Sequence, residues 1–316
     1  MEKYAHSQVV LAIYIITFIT GLPSNILAFY TFSKRVRTKQ TPIDILLLNL
    51  TVSDLIFLIF LPFRMNEAYF NMEWHLPYLF CPLSGFVFYS TIYISTFFLT
   101  AVSVERYLGV AYPIKYKINR KPKYAIIASV FFWVVSTAHC SIVYIIQYNN
   151  KNNQTVCYEN FTDEQKKILL PVRLELCLVL FCIPFAISTF CYVNFIRILS
   201  KLPNISHRRR KRAIGLALGT LVVFILCFGP YNISHVVGFI QNKSPEWRVD
   251  ALLPSTFNAC LDPIIFYFSS SAVQKTFSHC LSAVLSKLCV INPRSKYCPL
   301  TCSNTEESEG SSNTVQ

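Results

Sequence analysis

Charged side chains are scarce in this chain: Asp, Glu, Lys and Arg make up 14% of its 316 residues, where a soluble domain carries about 25%. Glycine is scarcer, at 8 residues. There is no HExxH string and no pair of catalytic aspartates at the expected spacing, which argues against a membrane-embedded enzyme. Too little charge remains to cover a soluble domain of this length, which excludes an ordinary one- or two-domain soluble enzyme. What fills the space is apolar: 53% hydrophobic and 15% aromatic residues.

The apolar residues are gathered into runs of about 20 residues, each long enough to cross a bilayer as a helix. Seven are read, near Val9–Phe32, Ile43–Phe63, Leu79–Val104, Tyr124–Tyr148, Ile168–Ile196, Ala213–Gln241 and Val249–Ser269. The runs are continuously apolar and do not alternate, which excludes a membrane barrel. The expected fold is all-α, a seven-transmembrane helix bundle. Residues 1–8 are expected as an outer N-terminus and 9–270 as the bundle. An amphipathic membrane-surface helix is expected over 271–291, and a disordered cytoplasmic tail over 292–316.

The net charge of +13 is topological. Lys34–Lys39, Arg106–Lys123, Arg197–Arg212 and Lys275–Lys296 gather most of the basic residues on one side. The positive-inside rule makes that side cytoplasmic and puts the N-terminus outside, in a multi-pass plasma-membrane protein. No nucleic acid is implied. The first span is expected to act as its own signal anchor, since its apolar run is too long for a cleaved leader. Of 12 cysteines, only Cys81 and Cys157 then face the oxidising side, which predicts a disulfide between them. Asn153 and Asn160 stand in sequons in the same outer loop, as glycosylation candidates. Cys280 and Cys289, after the last span, are palmitoylation candidates.

Ionisable groups within spans are costly and mark candidate sites. Asp54 in span two and Asp262 in span seven, with Ser95 in span three and Asn258 a turn before Asp262, are a candidate sodium or proton site; a structural hydrogen-bond network is the alternative. In the outer half, Arg173, Arg248, His139 and His235 lie on four spans at a similar level, with Tyr89 and Tyr231 nearby. Converging, they would favour an anion, because guanidinium matches a carboxylate in planar geometry. Snorkelling of the arginines to the headgroups is the competing explanation. Glu159, just beyond Cys157, is placed to pair with an arginine from above, whereas Glu175 lies on the wrong side of its helix to neutralise Arg173. Two cations with an aromatic rim suit a small monoanion. At about −1.5 kcal/mol per heavy atom at best, a four-atom carboxylate gains roughly −6 kcal/mol, or tens of micromolar.

Several motifs now stand in register across the spans: Gly21 with Asn25, LTVSD ending at Asp54, Glu105-Arg106-Tyr107, Trp133, Pro184 with Tyr192, and Asp262-Pro263. Together they resemble the rhodopsin-like (class A) G-protein-coupled receptors over about residues 9–285. There are two departures. Phe228 and Gly229 precede Pro230 where the family has a Trp, and Phe266 stands where it has a Tyr. Longer strings, among them VERYLGVAYP, CYENFTDEQ, LLPVRLELCLVLF and CFGPYNISHVVGF, are similar to the free fatty acid receptors for short-chain carboxylates.

That resemblance implies a ligand such as acetate, propionate or butyrate, bound by Arg173 and Arg248 with His139, His235, Tyr89, Tyr231 and Glu159 in support. It implies heterotrimeric G proteins (Gi/o and Gq/11 coupling) at the Glu105-Arg106-Tyr107 end, where Arg106 paired with Glu105 would form a charge lock. Arrestin would meet the phosphorylated tail, and membrane lipid the basic third inner loop. No cofactor and no enzymatic activity are implied. A receptor for a hydroxy acid or nucleotide stays open, as does, more distantly, a monocarboxylate transporter, although the spans carry no internal repeat.

Overall fold

The computed structural model describes residues 2–119, 121–149, 157–158, 161–203, 205–270, 272–280 and 282. Asn153, Glu159, Asn160 and Cys289 lie outside the described residues, as does the chain from 283 onward. By contacts the chain forms two units, Met1–Val273 and Gln274–Gln316.

Among the described residues the structure is helical and contains no strand. The helices are α1 (Glu2–Thr38), α2 (Pro42–Tyr69), α3 (Phe80–Ala111), the short α4 (Pro113–Asn119) and α5 (Pro122–Asn149). α6 (Asp163–Glu175) runs through a π-helical stretch, Leu176–Cys182, into α7 (Ile183–Lys201). α8 (His207–Val223) runs likewise through Phe224–Phe228 into α9 (Gly229–Gln241). α10 (Arg248–Thr256) and α11 (Asn258–Ser269) complete the bundle, and a further helix covers 272–280.

Among the described residues, seven helical stretches are long and apolar enough to cross a membrane. The seven expected spans are these, but the helices outrun the apolar stretches at most ends. α1 already starts at Glu2 and continues to Thr38. A helix satisfies its own backbone, so it continues into polar residues until capped, and hydropathy does not register those turns. The caps are identifiable. Thr41 accepts the Asp44 amide at 3.3 Å with Pro42 in the first turn, while Thr162 and Gln165 close a reciprocal capping box at the start of α6.

Both π-helical stretches lie just before a proline, Pro184 and Pro230. Proline removes an amide and crowds the preceding turn, and a widened turn is one way the ladder absorbs it. The Pro184 carbonyl takes the Thr100 hydroxyl at 3.2 Å, joining α7 to α3.

α3 is the axis of the bundle, with Tyr93, Ile94 and Phe98 fully buried. Asn25 donates to the Ala259 carbonyl at 2.7 Å and fixes α1 to α11. Trp133 donates to Asn49 at 3.1 Å and fixes α5 to α2. Arg35 and Asp44, 2.9 Å apart, tie the end of α1 to the start of α2. Asn25 and Trp133, two of the motif residues, thus hydrogen-bond at helix crossings.

Cys81 and Cys157 form the expected disulfide, with 5.8 Å between their Cα atoms. It presses Tyr158 onto α3 so closely that a Cβ on Gly85 would lie 1.9 Å from its ring. Tyr158 is held at φ 63°, a left-handed conformation that costs a tyrosine about 1 kcal/mol. Its hydroxyl donates to the Pro82 carbonyl at 2.8 Å, and burial pushes the phenol well above its usual range, so it stays a neutral donor.

Candidate functional site

Beneath the disulfide, α2, α3 and the 242–248 segment enclose a cavity of about 490 Å³, with Tyr89, Tyr158, Arg64, Ser244 and Arg248 in its wall. That falls in the range of ordinary small-molecule sites. Lys166, Lys243, Glu67 and Glu246 also line it, so that four basic side chains face two acidic ones and bias its field toward anions.

Arg173 comes from the last turn of α6 and Arg248 from the first of α10. They are 2% and 8% exposed, so neither snorkels. Arg173 donates Nη1 to Ser244 at 2.7 Å and lies 5.6 Å over the Phe161 ring. Arg248 donates Nη2 to the Tyr231 hydroxyl at 3.0 Å and lies beside the rings of Tyr89 and Tyr231, 5.7 and 5.4 Å from their centroids. Those two rings are parallel, 5.8 Å apart. The guanidiniums are close enough to act on each other electrostatically. Among the described residues neither meets a carboxylate within ion-pair distance. Arg173 Nε and Nη2 and Arg248 Nε are buried without a hydrogen-bond partner. Unpaired buried cations cost several kcal/mol and are not retained for stability.

His235 joins the cluster. Its ring lies 4.4 Å from Tyr231 and its Nε2 faces the Tyr93 hydroxyl at 3.3 Å, while Nδ1 is buried and unpartnered. Of the expected residues, Arg173, Arg248, His235, Tyr89 and Tyr231 therefore come together. His139 does not share their contacts. Its Nδ1 faces the Val135 carbonyl at 2.8 Å and its Nε2 lies 3.1 Å from Glu175. Glu175, which the helical offset turns away from Arg173, is in this way occupied by His139.

Four contributors were missed in the sequence. Arg64 and Glu67, one turn apart on α2, form a buried pair at 2.6 Å, with Arg64 over Phe88 and Tyr158 at 5.8 and 5.7 Å. Two charges one helical turn apart just past the end of the Ile43–Phe63 run were the available signal. Tyr93 and Ser244 gave none, being ordinary residues until the fold sets them beside His235 and Arg173.

Residues 24–266 match the family model described as 7 transmembrane receptor (rhodopsin family). The chain belongs to that family. It is therefore a multi-pass plasma-membrane receptor and not an enzyme, with a small-molecule ligand and G-protein partners. This rhodopsin-family receptor is 52% identical to Free fatty acid receptor 2 of Mus musculus over 279 residues, covering 86% of this chain and 84% of that one. It is 51% identical to human Free fatty acid receptor 2 over 285 residues, with 88% and 86% covered. Free fatty acid receptor 3 of Mus musculus follows at 49% over 284 residues, covering 88% of each.

At the other end of the receptor, Glu105, Arg106 and Tyr107 close α3. Where the sequence reading pairs Glu105 with Arg106, the structure sets the Tyr116 hydroxyl of α4 on Glu105 and points Arg106 Nη1 at the Tyr192 hydroxyl, 3.4 Å away. Tyr107 packs its ring on Phe190 at 6.0 Å.

Proposed function

We propose that this receptor responds to short-chain carboxylates such as acetate, propionate and butyrate, and signals through Gi/o and Gq/11. The observation that carries the reading is the pair of buried guanidiniums on α6 and α10, which meet no carboxylate among the described residues. A carboxylate presents about four lone-pair sites, and the unpartnered donors are Arg173 Nε and Nη2, Arg248 Nε and, when protonated there, His235 Nδ1. The stacked Tyr89 and Tyr231 rings leave little width for a tail beside Arg248. Relatives named free fatty acid receptors support the same ligand class.

Bridging Arg173 and Arg248 would draw the outer ends of α6, α9 and α10 together, because Tyr231 of α9 already holds Arg248. The acid activates only to the extent that it binds the signalling arrangement better than the resting one. The N-terminus and disulfide end face outward in this reading, and the basic end faces the G protein.

The test is a panel of acids from formate to octanoate, with hydroxy acids and nucleotides, read as calcium and cAMP in expressing cells. Propionate and its neighbours should lead, with octanoate and nucleotides silent. A response confined to hydroxy acids or nucleotides would replace the ligand assignment. Labelling an N-terminal tag on unpermeabilised cells reports orientation and surface level together.

A second polar site supports a monovalent cation or a shared proton. Asp54, Ser95 and Asn258 line an opening of about 10 Å³, roughly the space of one water or ion. Asn258 donates to Asp262 Oδ2 at 3.0 Å. Asp54 Oδ2, Asp262 Oδ1 and Asn258 Oδ1 are buried without partners. Replacing sodium with an organic cation should change propionate potency in the parent chain and leave Asp54→Asn unaffected. Equal sodium dependence in both would remove the site.

A further inference from the structure

At the opposite end from the arginines, a second cavity of about 550 Å³ lies among the starts of α2 and α5, the end of α3, and α4. Its wall includes Lys115, Lys121, Glu105 and three tyrosines, Tyr112, Tyr116 and Tyr124. Neither lysine forms an ion pair among the described residues. Glu105, the carboxylate in the wall, is engaged by the Tyr116 hydroxyl. The cavity therefore presents two lysines and phenolic hydroxyls against one carboxylate that a tyrosine already engages, a net positive lining suited to a phosphate.

The surroundings favour a phosphate that carries hydrocarbon. Tyr124 begins a stripe on α5 that continues through Ile127, Phe131 and Val134 at helical spacing, each 57–63% exposed. On α4, Ile114 and Ile118 are 77% and 74% exposed. Tyrosine and lysine at the end of an exposed apolar stripe are the residues of a membrane interface, where the ring stays amphipathic and the ammonium reaches headgroups.

We propose that this cavity seats the headgroup phosphate of an anionic phospholipid, with its acyl chains lying along the Tyr124–Val134 stripe. Lys115 and Lys121 supply the charge and the tyrosines flank it. Because Tyr116 and Glu105 share the wall, the bound headgroup bears directly on the segment that follows the Glu105-Arg106-Tyr107 end of α3. The site is separate from the carboxylate cluster and does not depend on that ligand assignment.

The full chain would be placed in phosphatidylcholine nanodiscs carrying a minor share of phosphatidylinositol 4,5-bisphosphate. Anionic lipid retained on release is then counted by native mass spectrometry. Lys115→Gln with Lys121→Gln should lower retention by about fivefold per lysine removed. Arg208→Gln with Arg209→Gln, which removes equal charge from α8 at the same end, should lower it far less. Equal losses would mean diffuse attraction and overturn the seat, as would no loss in the lysine variant. Soluble inositol trisphosphate should fail to displace the lipid; effective displacement would show that phosphate alone suffices and overturn the lipid assignment. Independently of any variant, a diazirine-bearing anionic lipid should label residues 112–134 of the unmodified chain. Labelling confined to α8 would also overturn it.

Discussion

Arg173→Ala and Arg248→Ala are each expected to abolish the propionate response while the receptor still reaches the cell surface. A carboxylate held by two buried guanidiniums loses about 2–5 kcal/mol when one is removed, which is at least thirtyfold in potency. The native site already binds a small ligand weakly, so a thirtyfold loss leaves no usable concentration range. Surface level should hold because both arginines are buried without a carboxylate partner among the described residues, so removing one also removes a desolvation cost. Lysine at either position restores charge but not the planar fork, and partial recovery is expected. The measurement is a dose-response curve for each variant at matched surface labelling. A preserved response in either alanine variant would move the ligand away from the arginine pair.

Breaking the Cys81–Cys157 disulfide is expected to have the next largest effect. The bond spans 76 residues, and removing a native disulfide costs about 2–5 kcal/mol. Its local consequence is specific. Without Cys157 anchored, the left-handed Tyr158 loses part of what holds it against Gly85, and with it the ring that packs on Arg64 and Tyr89. Cys81→Ser should lower the melting temperature of the purified receptor and reduce surface level. Gly85→Val should reproduce part of this with the disulfide intact, because its side chain would occupy the space of the Tyr158 ring. If Gly85→Val unfolds at the parent temperature and responds normally to propionate, Tyr158 does not form part of the wall that matters.

Much of this receptor was legible in one dimension. Seven spans, the disulfide, and Arg173 with Arg248 followed from the sequence because a bilayer imposes a simple rule. Long uncharged runs must cross as helices, and any charge within them needs a reason. Helix ends were less legible, since capping by Thr41 or Thr162 depends on local hydrogen bonds that hydropathy does not see.

Partner choice was decided only by tertiary structure. Depth along a span placed His139 and His235 together, but rotation about each helix axis separated them, giving His139 to Glu175 and His235 to the Tyr93–Tyr231 wall. The same rotation gave Glu105 to Tyr116 and brought Ser244, from a loop of no distinctive sequence, to Arg173. Sequence sets which residues must be buried and at what level, because transfer free energy is a property of each side chain. Which buried groups meet is fixed by how the helices pack and turn, a property of all of them at once.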